Sequence, residues 1–401
     1  MRSTSDVVVI GGGIIGSAAA YFLASSPDFN GTVTVVEKDS SYQKCSTTLS
    51  AASIRQQFST RENIEISLFG IQFLKNLDSY LDTAESLANN NQLDIGLQEK
   101  GYLLLASEAG TDVLQRNNRL QTELGADISL LPPPALKERF PWMNCEDLAL
   151  GSLGNSGEGW FDAYSLLQLF KAKNKTLGVS YINDEVIGLK TERQNGSGQI
   201  TDAELKSGSI ISAKYFINAA GPAAASVASM AGIDLPVESR KRCVFVFNCR
   251  EEITHCPLVV DISGAYFRPE GHNFICGISP QEENDPVSTD FDVDHSLFEE
   301  VLWPTLAHRV PAFESIKQVN AWAGHYAYNL LDQNVILGTA PQINNLFFAN
   351  GFSGHGLQQA PAVGRALSEL ILYDGFRKLD LSVFNFERIL QKKPVKELNV
   401  I

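Results

Sequence analysis

The run Asp6-Val7-Val8-Val9-Ile10, followed at once by Gly11-Gly12-Gly13-Ile14-Ile15-Gly16, constrains this chain more than any other feature. A short β-branched stretch, a G-x-G-x-x-G turn and a segment of helix formers and small residues from Ser17 to Ser25 spell strand, tight turn, helix. A second β-branched run, Thr32 to Val36, ends in Glu37, 21 residues beyond Gly16. That order suits a dinucleotide. Gly11 permits the turn, Gly13 lets the backbone approach a pyrophosphate, and Gly16 lets helix and strand pack closely. Ile14 and Ile15 open the helix, where unpaired N–H groups favour phosphate. Glu37 can accept two hydrogen bonds from a ribose diol. It repels a 2′-phosphate, which argues against NADP although Lys38 is adjacent. The motif alone leaves NAD and FAD open.

Val7 to Ala24 carries no charge and approaches the length of a membrane span. Four glycines inside it, Asp6 before it and no support for secretion elsewhere in the chain favour the strand–turn–helix reading instead. At ~150 residues per domain, 401 residues suggest two to three domains. The 32 Lys and Arg against 46 Asp and Glu give a net charge of −14, which excludes a polyanion such as nucleic acid as partner. Six scattered cysteines without C-x-x-C spacing speak against zinc or a dithiol site and for a reducing compartment, so a cytoplasmic location is expected. Asp290-x-Asp292-x-Asp294 lacks the glycine and the glutamate of a calcium loop, because His295 and Val301 stand there. No metal site is expected.

Further along, residues 61–81 pattern as an amphipathic helix, Asn89 to Gln92 as a polar turn, and Gly101 to Ala106 as a buried strand. Pro132-Pro133-Pro134 breaks the chain and starts a helix. Asp162, after Gly157-Glu158-Gly159-Trp160-Phe161, suits an N-cap. Val179 to Leu189 contains a strand, and Tyr215 to Pro222 is a strand ending in a tight turn before an Ala-rich helix. Near the C-terminus, Leu346 to Asn350 is an apolar strand. Gly351-Phe352-Ser353-Gly354-His355-Gly356 turns into a helix over Leu357 to Leu372, a second helix N-terminus with a positive dipole end.

With both glycine turns in place, the chain resembles the D-amino acid oxidase/sarcosine oxidase superfamily of FAD-dependent amine oxidoreductases. The resemblance runs over nearly the whole chain, in segments such as DVVVIGGGIIGSAAAYFLA, VTVVEKD, GWFDAYSLL, YFINAAGPAA, AYFRPEG and AWAGHYAYNLLDQNVILG. Within that superfamily, STTLSAASIRQQFS and GFSGHGLQQAPAVGRA resemble the branch containing the mitochondrial complex I assembly flavoprotein and its bacterial relatives. The resemblance implies FAD and assigns it residues. Gly11, Gly13, Gly16 and Glu37 match the pyrophosphate and ribose positions. Ser46, Thr47 and Arg55 lie on the segment under the flavin, and Val186 meets the adenine. Ala220 and Gly221 form a turn near the pyrophosphate. Gly354, His355, Gly356, Leu357 and Gln358 form the loop at the flavin's pyrimidine edge.

Departures from the family pattern matter as much. The segment in which monomeric sarcosine oxidases attach FAD through cysteine is here Ala323-Gly324-His325-Tyr326. The segment in which dimethylglycine dehydrogenases attach it through histidine holds Cys45 and no histidine. Non-covalent FAD is therefore expected. The sarcosine oxidase carboxylate clamp falls near Phe58 and Gln358, and the glycine and D-amino acid oxidase arginine among His325-Tyr326-Ala327. The lysine that helps sarcosine oxidase activate oxygen falls near Ile275-Cys276. The substrate carboxylate needs another cation. Arg268, on a strand with Tyr266, is the first candidate because its fork suits a carboxylate, with a surface pair to Glu270 as the alternative. Arg240, Lys241 and Arg242 pattern as a solvated loop. Arg55 belongs beside the flavin, and His325 and Tyr326 could line its face.

The expected architecture is an α/β, Rossmann-like FAD-binding domain of the glutathione reductase and D-amino acid oxidase type. It is drawn from residues 1–84, 148–224 and 331–401. A mostly antiparallel β-sheet substrate domain is drawn from 85–147 and 225–330. The expected chemistry is oxidation of the C–N bond of an amino acid or N-alkyl amine by hydride transfer to flavin N5, giving an imine that hydrolyses. The catalytic set is Arg55, Arg268, His325 and Tyr326. Expected partners are the small-molecule substrate and an electron acceptor, either oxygen or a protein. A flavoprotein assembly factor without turnover and a subunit of a hetero-oligomeric amine dehydrogenase remain as alternatives.

Overall fold

The computed structural model describes residues 1–84, 86, 92–194 and 197–398. Asn89 to Asn91 of the expected polar turn lie outside the described residues. A parallel sheet forms the centre of the first layer, in the order Ser180–Asn183, Val33–Glu37, Arg2–Ile10, Ile210–Asn218, Ile343–Asn350. Val7, Val8 and Val9 are fully buried, because both faces of this sheet are covered. The helices Ile14–Ala24 and Gly356–Tyr373 pack against each other on one face. Their small residues permit the approach: a Cβ on Gly364 would meet the Ala18 backbone at 2.7 Å. Three further strands, Val186–Gln194, Ser197–Leu205 and Ile336–Ala340, add antiparallel to this core. The glycine turns that follow Ile10 and Asn350 thus leave the same sheet at the carboxyl ends of its strands, where open α/β sheets bind ligands.

The second sheet has eight strands, ordered Ile316–Asn329, Val237–Cys249, Asn273–Gly277, Tyr266–Glu270, Leu258–Val260, Tyr102–Ala106, Leu150–Gly154, Ile128–Leu131. Every pairing is antiparallel except that of Leu258–Val260 with Tyr102–Ala106. Its longest pairing joins Val237–Cys249 to Ile316–Asn329. Arg240, Lys241 and Arg242 therefore stand on a strand, not on the solvated loop their charge suggests. The covered face is aromatic: Phe247 stacks on Phe274, and Phe313 meets both edge-on. Leu150–Gly154 belongs to this sheet although it falls within the segment 148–224.

Local signals hold where they rest on backbone chemistry. Asp162 caps the helix Ala163–Thr176, its carboxylate accepting from the Ser165 amide at 3.0 Å. The amphipathic stretch 61–81 breaks into Arg61–Lys75 and Leu77–Leu81 at Asn76. Glu397 then braces the segment leading into the first of these helices. It accepts from the Ser59 amide at 2.6 Å, the Ser59 hydroxyl at 2.7 Å and Asn63 Nδ2 at 2.7 Å.

Candidate functional site

One cavity of about 590 Å³ runs between the two sheets. At one end it is lined by Glu37, the last residue of the strand Val33–Glu37, by Lys38 just after it, and by Val186, the first residue of the strand Val186–Gln194. Gly11, Gly13, Ile14 and Ile15 line the stretch that follows, opposite Ala220 and Gly221. Gly16 does not reach the cavity. It packs on the turn, where a Cβ would come 1.9 Å from the Gly11 carbonyl oxygen, so no other residue fits. Glu37 holds the turn together: its two carboxylate oxygens accept from the Gly12 and Asp39 amides, each at 2.8 Å.

The segment from Cys45 to Arg55 floors the rest of the cavity. Thr47 Oγ1 accepts from the Ile14 amide at 3.1 Å, which ties this floor to the first helix. Ser46 donates to the His325 carbonyl at 2.7 Å, which ties it to the second sheet. Gly354, His355, Gly356, Leu357 and Gln358 line the cavity at the start of the long C-terminal helix. Gln358 Oε1 accepts from the Arg55 amide at 2.8 Å, so the floor and this second helix N-terminus are one unit.

Arg55 is 4% exposed and lines the cavity. Its Nη1 donates to the Gln57 carbonyl at 3.1 Å, and its Nη2 lies 3.0 Å from His355 Nε2. Burial and the adjacent guanidinium push the His355 imidazole down to about 3, so it is neutral and accepts from Arg55. The guanidinium also stacks over Phe58 and Tyr102. Among the described residues none of the ion pairs includes Arg55.

Three phenols, Tyr102, Tyr266 and Tyr326, line the cavity from strands of the second sheet. Burial raises all three above the ordinary phenol value, so they are protonated donors. Tyr326 lies against the glycine loop, where a Cβ on Gly354 would come 2.6 Å from its ring. His325 lines the cavity beside Phe291, with ring centroids 4.6 Å apart, and its Nε2 has no partner among the described residues. Burial pushes this imidazole down as well.

Arg268 corrects the expectation placed on it. Its strand is where the sequence put it, but the guanidinium is not part of the cavity wall. Nη2 and Nε donate to the Ala51 carbonyl at 2.8 and 3.2 Å, and Nη1 pairs with Glu270. It lies over the Trp160 ring and fastens the second sheet to the back of the floor segment. Arg242 does reach the cavity, yet it is spoken for: its Nη1 and Nη2 meet Asp285 at 2.7 and 2.8 Å in a buried bidentate pair. Two features escaped the sequence reading. Tyr102 gave no signal, since any apolar strand residue would read alike. Glu158 gave one, a lone charge inside Gly157-Glu158-Gly159-Trp160.

An elongated cavity whose wall contains two helix N-termini, one beside a ribose-type acid, fits an extended dinucleotide with a ring system at its far end. The six cysteines are unpaired, no metal cluster occurs among the described residues, and no described helix is long and apolar enough to cross a membrane. Residues 6–370 match the family described as FAD dependent oxidoreductase. FAD-dependent oxidoreductase domain-containing protein 1 of Xenopus laevis is 44% identical over 428 residues, covering 99% of this chain and 85% of its own. Human mitochondrial sarcosine dehydrogenase is 25% identical, covering 97% of this chain and 42% of its own. Among solved structures, the L-proline dehydrogenase of P. horikoshii superposes with a TM-score of 0.85 at 27% identity, over 98% of this chain and 100% of that one. The chain therefore belongs to the FAD-dependent oxidoreductase family typified by D-amino acid oxidase, and FAD is its cofactor.

Proposed function

We propose that this chain oxidises the C–N bond of an amino acid or N-alkyl amine and holds the substrate carboxylate on Arg55. The observation that carries this reading is a buried guanidinium in the cavity wall whose hydrogen-bond partners are a carbonyl and a neutral imidazole. A buried cation with no direct ion-pair partner among the described residues is costly, and a carboxylate supplied by the substrate offsets that cost. Arg55 presents a fork suited to bidentate binding. His355 and Gln358 fix its direction, one through the guanidinium and one through the backbone.

FAD, when bound, supplies the two-electron oxidation by accepting hydride from the carbon next to nitrogen, and the imine product hydrolyses in water. The chain's own residues bind and orient. Gly11, Gly13, Ile14, Ile15 and Glu37 would hold the pyrophosphate and ribose, with Val186 at the adenine. Ser46 and Thr47 would run under the isoalloxazine, and the loop from Gly354 to Gln358 would face its pyrimidine edge. Tyr326 and His325 would border the reacting face, and Tyr102 and Tyr266 would donate to the substrate. Val244, Leu258 and Phe291 in the same wall exclude water. Protonated phenols and a neutral His355 offer no strong base, so the amine reacts in its neutral form. On this reading residues 1–84, 155–224 and 331–401 carry the cofactor, and 85–154 and 225–330, with the strand Leu150–Gly154 among them, cover the substrate. The cofactor is not covalently attached. The test is anaerobic mixing of the purified flavoprotein with a panel of α-amino acids, N-methyl amino acids and simple amines. Bleaching of the oxidised flavin band by members that bear a carboxylate supports the assignment. A band unchanged across the panel overturns it in favour of a protein that binds flavin without turning over.

A further inference from the structure

Behind Arg55 lies a second ionisable group that substrate binding does not explain. Glu158 is fully buried at the start of the short strand Gly159–Trp160. Its Oε1 accepts from the Gln56 amide at 2.5 Å, and its Oε2 accepts from Gln57 Nε2 at 2.8 Å. The same Gln57 amide donates to the Tyr102 carbonyl at 2.8 Å, and the Gln57 carbonyl accepts from Arg55. One carboxyl thus fastens residues 56 and 57, which follow Arg55 in the chain, and with them the Gln57 carbonyl that accepts from its guanidinium. Room for it is purchased at Gly154 on the neighbouring strand, where a Cβ would lie 1.9 Å from Glu158 Oε2.

We propose that Glu158 is a positioning residue that acts as the buried counter-charge of Arg55 and sets how tightly the site holds a carboxylate. The inference rests on the assignment of Arg55 as the carboxylate anchor. Arg55 is the cation that acts on Glu158. From the strand Tyr102–Ala106, the titratable group facing it is Tyr102, whose phenol is protonated. The strand Leu150–Gly154 brings no charge, and from the preceding loop Glu99 accepts from the Gly157 amide at 2.9 Å while paired with Lys75 at 2.6 Å. His355, on the far side of Arg55, is neutral.

Burial pushes the Glu158 carboxyl up to about 7, against the pull of its two N–H donors and Arg55. Its charge therefore changes across neutrality. Below that value Glu158 is neutral, Arg55 is uncompensated, and an anion at the guanidinium binds tightly. Above it Glu158 is negative, part of the attraction of Arg55 is already offset, and a second anion nearby is repelled. The amide that donates to this carboxyl is that of Gln57, whose Oε1 has no partner among the described residues.

The experiment uses the FAD-loaded protein and benzoate, a carboxylate that cannot be oxidised at an amine and stays ionised between about pH 6 and about pH 8. Affinity is read from the perturbation of the flavin spectrum. Wild type should bind benzoate roughly tenfold more weakly at the upper end than at the lower, since coupling of one pK unit is a tenfold change. Glu158→Gln should bind it with near-constant affinity over the same range. A flat wild-type profile overturns the proposal whether or not the variant folds, and so does a step that survives in Glu158→Gln. Arg55→Gln separates the two claims. If it leaves benzoate affinity untouched, the assignment of Arg55 itself fails; if it abolishes binding while the wild-type step is absent, only the role of Glu158 fails.

Discussion

The two ends of the cavity are built from different materials. At the adenosine end, Gly11 to Gly16, Glu37 and the first helix supply backbone amides and one acid within 37 residues of sequence. At the other end, Arg55, Tyr102, Tyr266, Tyr326 and His355 arrive from five separate segments and meet through side chains. Backbone chemistry tolerates little substitution and so leaves a spacing that can be read. A side-chain constellation leaves no spacing, and the same residue type can serve opposite purposes. Arg268 and Arg55 show this: both are buried arginines near the floor segment, one bonded to the outer side of that segment and one opening on the cavity.

The sharpest way to break the comparison is at the glycines. Gly16→Val should cost the fold, because a Cβ there would be 1.9 Å from a carbonyl oxygen. Gly13→Val should leave a folded, colourless protein. A Cβ on Gly13 meets only Cys45 Sγ at 3.3 Å and Thr47 Oγ1 at 3.4 Å, while the rest of the side chain occupies the space for the pyrophosphate. Circular dichroism and flavin absorbance separate the two outcomes. Acid precipitation of wild type should release its colour into the supernatant; colour retained in the pellet would mean a covalent bond, with His325 the residue to map.

Arg268 and Glu158 sharpen the other end. Arg268→Ala should lower unfolding free energy by about 1.5–3 kcal/mol, the range for losing buried charge-assisted hydrogen bonds. It should leave the preference for carboxylated over uncarboxylated amines unchanged. A selective loss of carboxylated substrates in that variant would restore Arg268 as an anchor. For Glu158, the folded carboxyl near 7 and the ordinary value of 4.5 define the window. Between them the folded state binds the proton that the unfolded state has lost, so stability falls as pH rises through the window and levels off above it. The fall is up to roughly 3 kcal/mol, and Glu158→Gln should lack it in denaturant titrations at matched pH. The smallest expected effect concerns the electron acceptor. The lysines that line the cavity wall among the described residues are Lys38 and Lys44, and the strand Asn273–Gly277 carries Ile275 and Cys276 at the place the family resemblance gives to an oxygen-activating lysine. Artificial dyes should therefore reoxidise substrate-reduced protein faster than air, and peroxide formed as fast as dye is reduced would contradict this.

How much could be read in advance follows from the same division. The two glycine turns, Glu37, the Asp162 cap and the strands leading into them are local, and the structure places them as their spacing demands. Arg240 to Arg242 misled because a run of three cations looks solvated. Only the pairing with residues 323–329 and the buried Asp285, 43 positions away, makes that run a strand. The destination of Arg268 was set by a carbonyl at Ala51, 217 positions away, which no pattern along the strand records.

The most direct test compares a carboxylated amine with a matched amine that lacks the carboxylate, mixed anaerobically with wild type and with Arg55→Ala. Replacing a buried charge-assisted contact costs roughly 1.5–3 kcal/mol, or about ten- to a hundredfold in binding. The account predicts that the carboxylated amine alone loses this factor in the concentration needed to bleach the flavin, with the flavin spectrum of the free protein retained. Equal and small losses for both amines would contradict it and leave Arg55 as a support for the cofactor.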